Sequence, residues 1–446
     1  MKNFLILSAI LYSSISFGQH LERRIAHGFR LQPTELDGVS RMQVAALSPT
    51  ATAGVAGVQM NDILIDINST EVFGMDDLRS DAISNLREGT EVVYTVIRNE
   101  ETLELSAPGV PIPMESGDSH ETEYFEIPFD GGWLRAIANL PEGDGPFPTI
   151  YFIQGYTCSP IESQWPGHPY RRLAKMFTDA GIAFVRVEKP GVGDSYGMDP
   201  SCMETDFNYE VESFTEAGQF VRNLSWVDTT NFYIFGHSMG GYLAPIVASE
   251  VTTQGIAVYG TRHEPWREYF LQMWRFQLVR QGFSYAEVES RMKDYYELAY
   301  LLFFERHSPA EISASHPHLN DELEDGLLWD GGNIVLFRNY DALQSVDDLP
   351  VVPSWLEYEG KVLVMYGTAD FEVCSDESPR EMVRMINLEG KGQAEYVEIQ
   401  GADHSMFPVH GMEEAVNMEP TELRSIQMSG IENLIPSSVI LWMTEK

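Results

Sequence analysis

Basic residues are scarce in this chain, and lysine is the scarcest of the charged types. The 446 residues include 29 Lys and Arg against 67 Asp and Glu, which gives a formal net charge of −38, and only seven residues are Lys. Contacts to phosphates need Lys and Arg, so we predict no nucleic-acid partner. Apolar residues are plentiful by contrast: 43% of the chain is hydrophobic, which is enough for a large folded core.

Long apolar runs are missing after the N-terminus, so we predict no insertion into a membrane. The N-terminus itself has the pattern of a signal peptide. Lys2 precedes the apolar run Phe4–Leu11, which is too short to span a bilayer, and small residues follow at Ser16–Gly18. We expect residues 1–19 to be removed near Gly18 and the chain to be exported, either to the periplasm or outside the cell.

Only three cysteines are present, Cys158, Cys202 and Cys374. An oxidising compartment permits one disulfide and leaves one thiol over, and the residues alone do not say which pair forms. Three unpaired, half-buried cysteines are the alternative. Metal clusters, Walker patterns and glycine-rich dinucleotide motifs are also missing, so we predict no metal and no organic cofactor.

The length of the chain indicates two or three folding units. Residues 22–110 are predicted to form a small α+β unit. Its strands are Met42–Leu47, Ile63–Ile67 and Glu91–Arg98, which alternate or are strongly apolar, and the spacing of Met75–Leu86 predicts a helix.

The turn Ala56–Asp62 and the strand end Ile67–Asn68 resemble the PDZ domain family, in which a Gly-Leu-x-x-Gly-Asp turn precedes a strand ending in Ile-Asn-Gly. Here Asn61 stands where the turn motif has Gly before its Asp, and Ser69 stands where the strand end has Gly after its Asn. The resemblance implies a groove that binds an extended peptide by strand addition, with a carboxylate-binding loop near Gly38–Ser40. A structural module that binds no peptide is the alternative.

Residues 111–120 have the composition of a linker, with two Pro, polar residues and no periodicity. From residue 121 to 446, apolar strands alternate with helical segments, which predicts a mainly parallel sheet covered on both faces. Residues of about 262–355 interrupt this alternation with helical spacing and many aromatic side chains, and are predicted to be a helical cap insertion. The predicted strands are Pro148–Ile153, Ile182–Val187, Phe232–Phe235, Ile256–Tyr259, Val362–Tyr366 and Glu395–Ile399.

A Gly-x-Ser-x-Gly pattern at Gly236–Gly240 places Ser238 between a buried strand and the helical run Tyr242–Val251. This is the context of a nucleophile elbow, and Gly236 and Gly240 flank His237, Ser238 and Met239 because the turn crowds the backbone. A second match centred on Ser195 lies among Pro and Gly residues with no helix after it, so we interpret it as a loop.

A serine nucleophile needs a base and an orienting acid. Asp370 follows one late strand of the predicted sheet and His404 follows the next, and ligand sites of parallel sheets lie at those strand ends. Glu372 and Asp376 are close enough in sequence to replace Asp370. The backbone N–H groups of Met239 and Tyr156 are predicted to bind the oxyanion. In the loop of residues 154–158, Gly155 permits the close turn.

With these motifs in this order, residues 121–446 resemble the α/β-hydrolase superfamily, in particular its esterases and serine aminopeptidase-like members. Gln154 stands where many members have His, and Lys189-Pro190 replaces the Arg of a family loop motif. The resemblance implies an α/β-hydrolase fold with a cap after the sixth strand, preceded by the small PDZ-like α+β domain. It also implies that Cys202 lies close enough to Cys158 to form a disulfide.

The first hypothesis is an exported serine hydrolase that cleaves a small ester through Ser238, His404 and Asp370. A peptidase for short peptides is the second, and it would need acidic residues at the catalytic mouth to bind an amino group, such as Glu188, Glu264 or those in Asp321–Asp325. A binding protein with an inactive hydrolase domain is the third. Four cap residues at helical spacing are interpreted either as cap core or as an apolar wall for an acyl or aromatic group: Trp266, Tyr269, Met273 and Trp274.

Overall fold

The computed structural model describes residues 21–75, 77–117, 121–418 and 420–445, so the predicted signal peptide lies outside the described residues. The N-terminal part forms an antiparallel sheet in the order β1-β2-β3-β5-β6, with β4 paired to β3. Its elements are β1 (Phe29–Leu36), β2 (Val39–Leu47), α1 (Thr52–Ala56), β3 (Ile63–Ile67), β4 (Thr70–Glu71), α2 (Asp81–Ser84), β5 (Glu91–Arg98) and β6 (Glu101–Pro108).

The predicted helix Met75–Leu86 is wrong in its extent. The structure has a single 3₁₀ turn, Asp77–Arg79, followed by the short α2. The Asp77 carboxylate accepts hydrogen bonds from the N–H groups of Phe73 and Gly74, and the Ser80 hydroxyl donates to the Asp77 carbonyl. Such local side-chain bonds satisfy the backbone in a turn and compete with a continuous helix.

The larger sheet has eight strands within the described residues, in the order β16-β15-β12-β11-β9-β10-β8-β7. All neighbours are parallel except β10–β8 and β8–β7, so the prediction of a mainly parallel sheet is confirmed. The strands are β7 (Glu121–Phe129), β8 (Gly132–Leu140), β9 (Phe147–Ile153), β10 (Ala183–Val187), β11 (Val227–His237), β12 (Gly255–Tyr259), β15 (Lys361–Gly367) and β16 (Gln393–Ile399).

The β7–β8 hairpin was not predicted from the sequence. Its turn is Asp130-Gly131, and both residues have positive φ, 42° and 77°. An Asp-Gly pair favours the type I′ turn that joins two antiparallel strands, so this dipeptide was the available signal.

Helices cover both faces of the larger sheet and bury two apolar cores against it. On one face lie α4 (Phe207–Arg222), α5 (Met239–Ala248) and α12 (Glu377–Glu389). On the other lie α3 (Pro169–Asp179) and α15 (Leu434–Thr444). Between β16 and α15 lie α13 (Met412–Asn417) and α14 (Pro420–Ser429).

The insertion between β12 and β15 is largely helical and has an apolar core of its own. It follows the sixth strand of the larger sheet, as the resemblance implies. Its elements are α6 (Trp266–Arg280), α7 (Tyr285–Ala299), a π-helical turn (Tyr300–Phe304), α8 (Pro309–Ser315), a 3₁₀ turn (Pro317–Leu319), α9 (Asn320–Leu327), β13 (Ile334–Val335), β14 (Arg338–Asn339), α10 (Tyr340–Asp347) and α11 (Val351–Glu357).

The first described residues, which precede the N-terminal sheet, lie against the larger domain. The Arg23 guanidinium contacts Asp194 and donates to Glu162 Oε1 at 2.6 Å, while the Arg24 N–H donates to Asp194 Oδ1 at 2.9 Å. Burial by itself would raise the pKa of Asp194, but the charges of Arg23, Arg24 and Arg135 outweigh burial and hold this pKa below its ordinary value. We call residues 21–24 the N-terminal clamp.

The segment predicted to be a linker is also bound to the larger domain over its described part. Glu115 is buried, and its Oε2 lies 2.7 Å from Nη2 of Arg186 on β10. The Ser163 N–H donates to Glu115 Oε1 at 2.7 Å. The connection between the two sheets is therefore held by an ion pair and does not act as a free tether.

Replacing Asp194 tests the N-terminal clamp. Asp194→Asn removes the one carboxylate that Arg23, Arg24 and Arg135 share, and leaves buried guanidinium groups without that charge partner. We expect a loss of roughly 3–5 kcal/mol in the free energy of unfolding at neutral pH, measured by denaturant titration. Asp179→Asn is the control, because Asp179 forms an exposed pair with Lys175 and should change stability far less. Equal effects in the two variants would contradict the clamp.

Candidate active site

The site is built around the turn between β11 and α5. Ser238 lies between them with φ 55° and ψ −123°, a strained conformation that lifts its side chain out of the sheet. A Cβ atom on Gly240 would lie 2.0 Å from the carbonyl oxygen of Ile153, and one on Gly236 would lie 2.5 Å from the Gly240 carbonyl oxygen. Both positions therefore require glycine because the backbones pass so closely.

Three predicted residues meet at the ends of their strands. His404 Nε2 lies 2.9 Å from Ser238 Oγ, and His404 Nδ1 lies 2.9 Å from Asp370 Oδ2. Asp370 is fully buried, and its Oδ1 accepts hydrogen bonds from the N–H groups of Glu372 and Val373. This arrangement can pass a proton from the hydroxyl to the imidazole while the carboxylate fixes the ring.

Neither alternative acid occupies the place of Asp370. Asp376 pairs with Arg380 on α12. Glu372 lies on the opposite edge of the imidazole, where its Oε2 is 3.2 Å from His404 Nε2. The same ring nitrogen thus has the Ser238 hydroxyl and a second carboxylate within reach, which the linear sequence did not indicate.

The charges around His404 favour its protonated form. Burial by itself would lower the pKa of His404, but the carboxylates of Asp370 and Glu372 outweigh burial and raise the pKa above its ordinary value. His237 behaves in the opposite way: burial lowers its pKa to about 4. The neutral His237 ring donates through Nε2 to the carbonyl oxygen of His404 at 2.8 Å, so it braces the loop that contains His404.

The loop after β9 lies beside Ser238. A Cβ atom on Gly155 would stand 3.2 Å from the Ser238 Cβ and 3.7 Å from its Oγ. Within the part of the chain that the structure describes, no hydrogen bond uses the backbone N–H of Tyr156 or of Met239. Both groups are free to donate to a ligand oxygen.

The structure joins Cys158 and Cys202 by a disulfide, the pair that the family resemblance implies, and leaves Cys374 as a free thiol. Cys374 is buried, and burial raises its pKa to about 12. A thiol with so little thiolate at neutral pH is a poor nucleophile. Ser195, the second motif match, is buried and accepts a hydrogen bond from the Arg135 N–H at 2.9 Å, a structural use of its hydroxyl.

A cavity of about 620 Å³ opens over Ser238 and His404. Its walls are mainly apolar and aromatic, and the cap supplies part of them through α6. Trp266, Tyr269 and Met273 line the cavity, whereas Trp274 is buried in the cap core and donates to the Gly326 carbonyl. Of these four cap residues, three therefore form the apolar wall and Trp274 belongs to the cap core. The other aromatic lining residues are Tyr156, Trp165, Tyr170, Tyr242, Phe270, Phe337 and Phe407.

The acidic residues suggested for binding an amino group lie in three separate places. Glu264 lines the cavity but forms an ion pair with Arg262 at 2.9 Å. Glu188 is buried away from the cavity and accepts from the Ile161 N–H. Asp325 lies on α9, where it pairs with Arg291. These residues do not form an acidic cluster at the mouth.

Comparison with known proteins identifies relatives of this region. A family model described as "Alpha/beta hydrolase family" matches residues 150–417. Esterase FrsA of Klebsiella pneumoniae is 28% identical over 157 residues, which are 33% of this chain and 34% of that protein. Esterase EstD of Thermotoga maritima is 24% identical over 152 residues, 34% of this chain and 35% of that protein. The chain thus matches about a third of the length of these curated relatives.

One similar solved structure is that of Est1E from Butyrivibrio proteoclasticus with bound ferulic acid. The alignment covers 68% of this chain and 99% of that chain, with 19% identity and a TM-score of 0.41.

Glu372 offers a direct test of the charges around His404. Glu372→Gln removes a carboxylate next to Nε2, so the protonated imidazole loses a stabilising partner. We expect the pKa of His404 to fall by about 1, measured by NMR titration of ¹⁵N-labelled histidine and assigned with a His404→Gln variant. Glu389→Gln, an exposed change on α12, should leave the titration where it is. An unchanged His404 titration in Glu372→Gln would show that this carboxylate does not act on the ring.

Proposed function

The chain belongs to the alpha/beta hydrolase family, and from that premise we propose that it is an exported serine hydrolase that cleaves carboxylic esters. The observation that carries this proposal is the hydrogen-bonded series Ser238–His404–Asp370, which begins at a strained turn and opens into an apolar cavity. Similarity to two named esterases agrees with it.

The proposed reaction has two acyl transfers. Ser238 Oγ bonds to the ester carbonyl carbon while its proton passes to Nε2 of the neutral form of His404, and Asp370 holds the resulting imidazolium. The N–H groups of Tyr156 and Met239 bind the developing oxyanion. The C–O bond to the alcohol then breaks, and His404 gives the alcohol its proton. Water repeats the sequence on the acyl-enzyme, which releases the acid and restores Ser238.

An ester is favoured over a peptide by the charges of the cavity. A peptidase that binds a free amino group needs a carboxylate that is not already neutralised. Glu264 is paired with Arg262, and this pairing outweighs burial and lowers the pKa of Glu264 to about 2. Glu372 lies against the imidazole itself. The remaining aromatic walls suit an apolar or aromatic acyl group.

Export is supported by two features of different kinds. Residues 1–19 have the charge and apolar pattern of a signal peptide. The Cys158–Cys202 disulfide fits an oxidising compartment, because disulfides are rare where thiols are kept reduced.

The N-terminal sheet is proposed to be a PDZ-like module, in keeping with the turn motif that precedes β3. β2 pairs with β1 along its length but with β3 only at Met42 and Gln43. Residues 39–41 pair with no strand on that edge, but the side chains of Ser40 and Arg41 contact Phe73 there, so an added strand would have to displace that segment. Gly38 lies in the tight β1–β2 turn with φ 77°, so a carboxylate-binding loop has no room there.

A panel of p-nitrophenyl acetate, butyrate and octanoate, a feruloyl ester and aminoacyl anilides tests the hydrolase proposal. We expect ester turnover by the wild type at pH 7–8. In Ser238→Ala, kcat should fall by about 10³-fold or more and labelling by a fluorophosphonate should disappear. Anilide turnover with weak ester cleavage would instead support the peptidase.

Ser195→Ala is the matched control, because it changes the serine of the other Gly-x-Ser-x-Gly match. It removes the acceptor of the Arg135 N–H, so we expect a loss of stability but normal turnover and labelling of the folded protein. Activity that survives in Ser238→Ala would refute the assigned nucleophile.

Peptide binding by the N-terminal sheet is tested with the full chain and fluorescent apolar peptides. Because the β1–β2 turn replaces a carboxylate-binding loop, we expect peptides with free and amidated C-termini to bind equally well, measured by fluorescence anisotropy. No binding up to the solubility limit would favour the structural module that binds no peptide.

A further inference from the structure

Three buried ionic side chains lie behind the loop that contains Gly155 and Tyr156. Lys189 follows β10, Glu210 lies on α4, and Arg338 lies on β14 in the cap insertion. Their side chains are at most 1% exposed. Lys189 Nζ is 3.1 Å from Glu210 Oε2, and Arg338 Nη1 contacts the other carboxylate oxygen. We call these three residues the loop cluster.

Both cations of the loop cluster bind carbonyl oxygens of the loop. Lys189 Nζ donates to the Gly155 oxygen at 2.7 Å and to the Tyr156 oxygen at 3.2 Å. Arg338 Nε donates to the Tyr156 oxygen at 3.0 Å, and its Nη2 contacts the same atom. The Arg338 guanidinium also lies over the ring of Tyr156, 4.8 Å from the ring centre.

The Gly155 carbonyl and the Tyr156 N–H belong to one peptide unit. A trans peptide points its C=O and N–H in opposite directions, so a carbonyl held by Lys189 directs the N–H to the other side of the loop. Gly155 lies close to Ser238, which places this loop at the nucleophile. A charged donor on the carbonyl also polarises the unit and makes its N–H a stronger donor.

The composition of the loop cluster also favours donation to the loop carbonyls. Two basic side chains face one carboxylate, and the loop carbonyls take up the donors that the ion pairs leave over. Burial lowers the pKa of Lys189 to about 7, against the attraction of the Glu210 carboxylate. Simple packing would not need this arrangement, because burying charges is costly and apolar side chains fill such a space at least as well.

We infer that Lys189, Glu210 and Arg338 form a positioning cluster that aims and strengthens the Tyr156 N–H as a donor to the oxyanion. This inference rests on the proposed function and deepens it. Lys189 acts directly on the Gly155–Tyr156 peptide through the Gly155 oxygen, whereas Arg338 fixes the following peptide through the Tyr156 oxygen, and neither side chain touches the substrate. Because Arg338 belongs to the cap insertion, the cap contributes to the chemistry as well as to the cavity wall.

Lys189→Met tests the inference, since it removes the charge and keeps much of the side-chain length. We expect kcat on the best ester to fall by roughly 10-fold to 100-fold while KM changes less than threefold, because the oxyanion forms only in the transition state. The rate of Ser238 labelling by a fluorophosphonate should fall in parallel. Lys189→Arg, which keeps a cation, should recover most of both losses.

Two further variants separate positioning from stability. Arg338→Lys keeps the charge but loses the multiple donors to the Tyr156 oxygen, so kcat should fall by a smaller factor; it also serves if Lys189→Met does not fold. Arg267→Met removes another cap ion pair, the one to Asp347, and should leave kcat and the labelling rate of the folded protein unchanged. Circular dichroism and thermal unfolding check that each variant is folded.

The outcomes distinguish this inference from the proposed function. If the wild type hydrolyses the ester and folded Lys189→Met and Arg338→Lys keep kcat and labelling within threefold, the loop cluster is purely structural and the inference is wrong, while the hydrolase stands. Equal losses in Arg267→Met would overturn it too. If the wild type neither hydrolyses the esters nor labels, the proposed function fails and the inference fails with it.

Discussion

A buried charge must meet an opposite charge or an aligned dipole. This requirement determines the contacts between the two sheets and those behind the loop of Gly155 and Tyr156. The carboxylates of Asp194, Glu115 and Glu210 are almost fully buried, and each is met by arginine from a distant part of the chain. The N-terminal clamp, the connecting segment and the cap insertion are all held against the larger sheet in this way. The apolar cores stabilise each layer, while the buried ion pairs determine how the separate segments fit together.

Local patterns predicted much of the fold and of the candidate site. The six parallel strands were identified from short strand-like runs in the sequence, several of which are continuously apolar because the strands are buried on both faces. The turn at Ser238 was recognisable because the close backbone approach at Gly236 and Gly240 permits no other residue type. Asp370 and His404 followed from their positions after consecutive strands, and the structure brings both to Ser238.

Part of the remainder could not be predicted because it depends on residues far apart in the chain. Lys189 and Arg338 meet at Tyr156 through the fold alone, and no motif joins them. Glu372 was considered as a substitute for Asp370, but only the three-dimensional path of its loop places it on the other edge of His404. Two other differences are local: the Asp130-Gly131 pair was an available signal for the β7–β8 hairpin, and Asp77 and Ser80 interrupt the predicted helix Met75–Leu86 by bonding to the nearby backbone.

The N-terminal clamp has a consequence for the order in which the chain folds. Residues 21–24 precede the rest of the described chain, yet the hydrogen bond from Leu21 reaches Glu126, 105 residues later, and Arg23 reaches Glu162 and Asp194, 139 and 171 residues later. Contacts of such high sequence separation form after local ones, because a long loop must close before they contribute. We therefore expect residues 21–24 to be among the last to find their partners, and to become ordered only when the larger domain is already in place.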